Sequence, residues 1–291
     1  MLDTASDHAD LAFHALAFVP ARIDAPGLVH AASIHRPAWM RFATERLPPA
    51  AVIPIARDAP LVGALTTSAE IAIALQRLAT LHESIATFLA TVRSPLSELH
   101  ASAVCRAADL AELRAAPQEA IEILRGAMGL AARSFAAAHV AVLRPFAERV
   151  ALALSPRWGA LTTELPGLGA LHLRISATLG PFGRVVDDTI LVGTRTLPDA
   201  PGPLDTDTPL AIAAHEASVR AAGLALRARG TPAPWPRIER VALDAAERAY
   251  RATSAELAYM EWRSHLSTAG LSPRDPETMA CSEEAAHLLG R

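Results

Sequence analysis

Residues 171–194 read LHLRISATLGPFGRVVDDTILVGT, and the fold turns on how this stretch is read. Leu171, Leu173, Ile175, Ala177 and Leu179 alternate with His172, Arg174, Ser176 and Thr178. A period of two marks a strand with one buried face. Gly180-Pro181-Phe182-Gly183 then reads as a turn, Arg184 to Val186 as a short strand, Asp187-Asp188 as a second turn and Thr189 to Thr194 as a third strand. Three short strands joined by tight turns predict a small antiparallel β-meander.

Helical patterns surround it. Ala5 to Phe18 and Pro37 to Leu47 read as short helices stopped by Pro20 and Pro48-Pro49, with Ser33 placed as a cap for the second. From Thr67 the pattern strengthens, with Ser68 as N-cap and Ile71, Leu75, Leu78, Ile85 and Leu89 at spacings of three and four. Further helices are expected from Pro95 through Leu113, from Gln118 to Leu130 and from Ser134 to Leu154. Beyond the meander, Thr208-Pro209 opens a helix to about Ala228. Pro236 opens a long one that ends near Ala269, with Gly270 as its C′ residue and Thr253-x-x-Glu256 marking a second start within it. Pro276 to Leu289 forms the last helix. The expected fold is therefore α+β and predominantly α-helical. A helical N-terminal domain covers 1–155, and the antiparallel meander packed with C-terminal helices covers 156–291. No long linker separates these halves, so a shared core remains open.

The composition bounds both fold and function. The chain has 291 residues, 51% of them hydrophobic and 20% charged, which allows a sizeable core and excludes disorder as the main state. Aromatics are only 4% and the apolar excess is mostly Ala, a mixture that favours closely packed helices. There is no Lys and no Asn, so all 27 positive charges are Arg. Codon bias in a GC-rich genome explains both absences. Whatever their origin, they exclude a Schiff-base amine, a P-loop or kinase-type phosphate lysine and an N-glycosylation sequon. A net charge of −3 with scattered Arg argues against a nucleic-acid partner. Cys105 and Cys281, far apart in unrelated contexts, fit reduced thiols in a cytoplasmic protein. Asp3, Asp7 and Asp10 are the opposite of a basic export signal. The most apolar stretch, Gly126 to Leu143, is interrupted by Arg133 and His139 and reads as a buried helix, not a membrane span.

The sharpest chemical feature is His215-Glu216, early on the helix that follows the meander and its proline loop. Strand, connection and His-Glu on a helix is similar to the arrangement in zincin metallopeptidases. In that family a second His one turn on completes a two-His face, and the Glu activates the metal-bound water. Here that position is Val219, followed by Arg220, so the resemblance covers two residues. Further ligands have one source: Glu261 and His265, four residues apart, share a helix face. Antiparallel packing would gather His215, Glu261 and His265 into a mixed nitrogen and oxygen site for zinc or iron, with Glu216 as base or further ligand. The alternative pairs Glu216 with Arg220 and Glu261 with His265, and leaves His215 a partly buried histidine with one hydrogen bond.

Other candidates read more plainly as structure. His8, His14, His30 and His35 match no metal spacing, although a fold-back would gather His14 and His35. Asp187, Asp188, Asp205 and Asp207 are either an oxygen-rich cation site or, more simply, turn and cap residues. His82-Glu83 and His100 mark solvated faces. Cys105 reads as buried and inert, and Cys281 as accessible but without an activating neighbour. No G-x-S-x-G elbow and no complete dinucleotide fingerprint occurs.

Two functions follow as expectations. The first is an accessory or binding subunit that presents a peptide or small substrate to a partner protein, with an exposed meander edge open to an added strand. The second is a metal-dependent enzyme, hydrolytic or oxidative, centred on His215 and Glu216, or an inactive zincin-like descendant. Helices apolar on much of their circumference also allow a homo-oligomer.

Overall fold

The computed structural model describes residues 2–5, 7–18, 29–52, 129–186, 188–231, 234–266, 268 and 270–290. The helices expected between Thr67 and Leu113, with His82, Glu83, His100 and Cys105, and nearly all of the one expected from Gln118 to Leu130 lie outside these residues, as do the side chains of His8, His30 and His35. The described chain is predominantly helical. It runs through β1 (Leu2–Thr4), α1 (Asp7–Phe18), α2 (Val29–Arg46) and a 3-10 turn at Pro49–Ala51. Residues 129–138 are helical and lead through a π-helical turn, His139–Leu143, into α3 (Arg144–Glu164). In that turn the Arg144 N–H bonds the His139 carbonyl, one residue further back than in an α-helix. Pro145, which has no N–H to donate and crowds the preceding turn, sits just beyond it.

Three strands follow, β2 (His172–Ile175), β3 (Gly183–Val186) and β4 (Thr189–Val192), and then α4 (Asp207–Ala228), α5 (Trp235–Tyr250), α6 (Glu256–Arg263) and α7 (Pro276–Leu288). The sheet order is β1-β2-β4-β3. β1, β2 and β4 run parallel, with Leu2 opposite Leu173 and Leu173 opposite Ile190; β3 alone is antiparallel, against β4. This overturns the antiparallel meander, and with it the expected arrangement of a helical N-terminal domain followed by one. The neighbour of β2 is β4, not β3, and the N-terminal strand β1 completes the sheet.

The physical reason lies at Ser176. Alternation continues to Leu179, yet pairing as a strand stops at Ile175. The Ser176 hydroxyl accepts the N–H groups of Thr178 and Leu179 at 3.3 and 3.1 Å, a local turn that competes with the ladder. The chain then crosses the end of β4 and returns on its far side as β3. Gly193, just past β4, makes this crossing possible: a Cβ there would stand 1.8 Å from the Gly180 carbonyl oxygen. Its N–H bonds the Phe182 carbonyl at 2.9 Å and pins the crossing loop.

α4 is buried along nearly its whole length, with Ala211, Ala213, Ala214, Ala217, Ala221, Ala222 and Ala225 at 0–3% exposure. Small side chains let neighbours approach on every side, and α4 touches α5, α6, α7, β3 and β4, while α3 packs on β1 and β2. One hydrophobic cluster extends from Leu11 to Leu289. The stretch expected as one long helix from Pro236 to Ala269 is two helices, and the second begins at Glu256, where Thr253-x-x-Glu256 marked a second start. Between them Ala252 takes φ 64°, and the Glu256 carboxylate accepts its N–H at 2.9 Å. No described helix is long and apolar enough to cross a membrane.

Candidate functional site

The His215-Glu216 pair lies on the first half of α4, and its two side chains serve different neighbours. Glu216 reaches the outer edge of β3, where its Oε2 accepts the Val185 N–H at 2.9 Å. Gly183 permits this approach, because a Cβ there would stand 2.4 Å from Glu216 Cγ and 2.5 Å from Ile212 Cγ2. Glu216 therefore covers part of the outer edge of β3, which the observed strand order places at the margin of the sheet. His215 turns to α5, with Nε2 3.2 Å from Glu239 Oε1 and both side chains 2% exposed. Burial works against the charged imidazole, but the charge and hydrogen bond of Glu239, with the charge of Glu216, outweigh it and raise the pKa above the ordinary value.

Aromatic rings pack against this pair. Trp262 lies 4.9 Å from the His215 ring, Tyr259 lies 5.9 Å from Trp262, and Tyr250 lies 5.5 Å from Tyr259. The Tyr250 hydroxyl donates to the Ala214 carbonyl at 2.8 Å. Burial pushes both phenols up. Three buried polar atoms here, His215 Nδ1, Glu239 Oε2 and Tyr259 Oη, have no hydrogen-bond partner among the described residues. Glu239 was missed in the sequence, though a signal existed: it stands among Ile238, Val241 and Ala242 on the apolar face of α5.

Glu261 and His265 are both exposed, and Trp262 between them is the α6 residue that meets His215. Among the described residues no three or more His, Cys, Asp or Glu side chains gather in a way that could hold a metal. Of the acidic candidates, Asp187 lies outside the described residues and the other three make separate contacts. Asp188 pairs with Arg220, Asp207 pairs with Arg157, and Asp205 Oδ1 accepts the Thr208 N–H at 3.0 Å at the start of α4. Cys281, expected to be accessible, is instead fully buried because it faces inward from α7, and burial raises its thiol pKa.

A second buried polar network joins α1, the π turn and the end of β2. His139 Nε2 lies 3.0 Å from Asp10 Oδ2, the Ser176 hydroxyl donates to Asp10 Oδ1, and Thr178 Oγ1 lies 2.8 Å from the Asp10 carbonyl oxygen. The residue types match a hydrolase triad, but the order does not. A nucleophilic serine needs the imidazole between it and the carboxylate, and here the carboxylate is in the middle. His14 is separate from this network: its Nε2 faces the Ala51 carbonyl at 2.8 Å, and its Nδ1 accepts the Trp39 indole N–H at 3.3 Å.

A cleft of about 650 Å³ lies between α5 and α7. Its charged walls are Arg248, Arg251 and Arg274, set against Asp244, Glu247 and Glu283. Arg274 grips both oxygens of Asp244 at 2.7 and 3.1 Å. Arg248 of α5 reaches Glu283 of α7 at 3.4 Å, and Arg251 approaches Glu247 at 3.8 Å. Met279 adds an apolar patch and His287 a further polar one. Among the described residues no Ser, Thr, Cys or Tyr lines the cleft, and its reactive groups are the three carboxylates and the His287 imidazole. No known family model, curated protein or solved structure matches the chain.

Proposed function

We propose that the protein is an accessory or binding subunit that holds a peptide or small charged substrate in the α5–α7 cleft and presents it to a partner protein. The cleft carries this reading. Its volume of about 650 Å³ suits a small ligand or a short peptide segment, and charges of both signs line it. Beside it lies a smaller recess of about 90 Å³ that shares Glu247 and Arg251 and includes Met260. Leu257, 80% exposed on α6, and Met260, 45% exposed, are three residues apart and share a helix face. Such a pair beside a ligand site is suited to contact with a partner.

The alternative, a metal-dependent enzyme centred on His215 and Glu216, or an inactive zincin-like descendant, has less support. Both side chains are committed to other groups, and Glu261 and His265 are exposed.

Calorimetric titration of short peptides tests the binding reading. Heat that saturates with wild type and weakens in Arg274→Ala is expected; no binding up to millimolar peptide would overturn it. Metal analysis of tag-free protein tests the alternative. Near one equivalent of zinc or iron, lost in both His215→Ala and His265→Ala, would restore the enzyme.

A further inference from the structure

We infer that the α5–α7 cleft recognises its ligand by an oxyanion, a carboxylate or a phosphate, clamped by Arg248 and Arg251, with Glu283 as the anion it displaces. This rests on the cleft being the binding site. Arg248, in the last turn of α5, and Arg251, the residue just past its end, are three residues apart and line the same cleft. That spacing brings two guanidinium groups within reach of one oxyanion, and the planar guanidinium is shaped to bond two oxygens at once.

Each of these arginines makes an exposed ion pair across or along the cleft that is exchangeable. Arg248 is 44% exposed and Glu283 64%, and their 3.4 Å contact bridges the two walls. Arg251 is 70% exposed, with Glu247 at 3.8 Å. Ion pairs this exposed contribute little because water solvates both charges, so replacing one carboxylate with a ligand oxyanion costs little. Arg274 is different. Its two-pronged grip on Asp244, a carboxylate only 9% exposed, makes it a fixed part of the wall. Asp244 is thereby neutralised. Glu247 is held by Arg263 at 2.9 Å, which leaves Glu283 as the acid that competes most directly with a bound anion.

Competition between Glu283 and the ligand for Arg248 fixes the sign of a substitution. Removing the Glu283 charge must strengthen oxyanion binding, because a competitor disappears. If the cleft instead took a cation, the same change would weaken binding.

The test uses the full chain with three probes: inorganic phosphate, an N-acetylated tripeptide with a free carboxylate, and the same peptide as its C-terminal amide. Binding is read by calorimetry and by shifts in the arginine side-chain NMR signals, and circular dichroism checks the folding of each surface variant. Phosphate or the free-acid peptide should bind, shifting the Arg248 and Arg251 signals. Affinity should fall at least about tenfold in Arg248→Gln and in Arg251→Gln, the loss expected for a charge-assisted hydrogen bond. Affinity should rise severalfold in Glu283→Gln, and the amide should bind at least about tenfold more weakly than the acid. Phosphate binding without peptide binding points to a phosphorylated ligand, and the reverse to a peptide C-terminus; either supports the clamp. An amide that binds as tightly as the acid, or weaker binding in Glu283→Gln, overturns the clamp and leaves the cleft as a binding site. No binding by any probe overturns both.

Discussion

Acid should destabilise this protein through His14, by an amount its surroundings set. The ring is fully buried, with the Ala51 carbonyl at Nε2 and the Trp39 indole N–H at Nδ1. Those partners fix the neutral tautomer that carries its proton on Nε2. A second proton would have to sit on Nδ1, facing the indole N–H. Burial lowers the pKa from 6.5 to about 4, against opposing contributions from the Ala51 hydrogen bond and the charge of Asp10. The folded-state value lies below the unfolded one. The stability His14 contributes is therefore present above pH 6.5 and is lost as pH falls toward 4. The interval from 6.5 to about 4 corresponds to about 3 kcal/mol, at roughly 1.4 kcal/mol per pH unit. Other groups titrate in this range as well, so the assay must be a difference. Urea unfolding of wild type and His14→Gln, from about pH 7.5 to about pH 4.5, isolates the residue, because Gln offers a donor and an acceptor but does not titrate. The advantage of wild type over the variant should shrink by about 2–3 kcal/mol across that range. A difference independent of pH would refute the account of His14 as a histidine held neutral by its site.

Other substitutions test the remaining elements. Glu239→Gln removes the buried partner of His215 and should cost about 3–5 kcal/mol. Because the folded pKa of His215 is raised, that deficit should be largest below pH 6.5 and shrink as pH rises through the raised value; denaturation at acid and alkaline pH reads it, and a deficit that grows with pH contradicts it. Glu216→Ala leaves the Val185 N–H without this acceptor and should cost about 1–3 kcal/mol, while Glu216→Gln keeps an acceptor and most of the stability. Equal losses in thermal melts of these two variants would mean the amide bond is not what Glu216 contributes. Gly193→Ala puts a methyl group against the Gly180 carbonyl and should destabilise by more than about 4 kcal/mol, read by urea unfolding. An alanine variant of wild-type stability would sink the account of the crossing loop.

What the sequence determined by itself was local. Apolar spacing and proline punctuation marked α1, α4 and α7 to within a few residues, because a helix is written in contacts three and four positions apart. The strand pattern at His172 to Ile175 was legible for the same reason, as a period of two. Strand partners were not. Hairpin-like turns suggested neighbours in chain order, but the Ser176 turn and the Gly193 contact sent β3 around β4, and β1 paired from far upstream. The site divided in the same way. His215 and Glu216 stood out as a dipeptide, but their partners, Glu239 on α5 and the Val185 backbone on β3, come from other elements. Asp10 and His139, 129 positions apart, have no spacing that sequence could display. Charge type was written in the chain, so an all-arginine protein could be read at once. Which arginines face one cleft depends on α7 packing beside α5, and only the tertiary structure decides that.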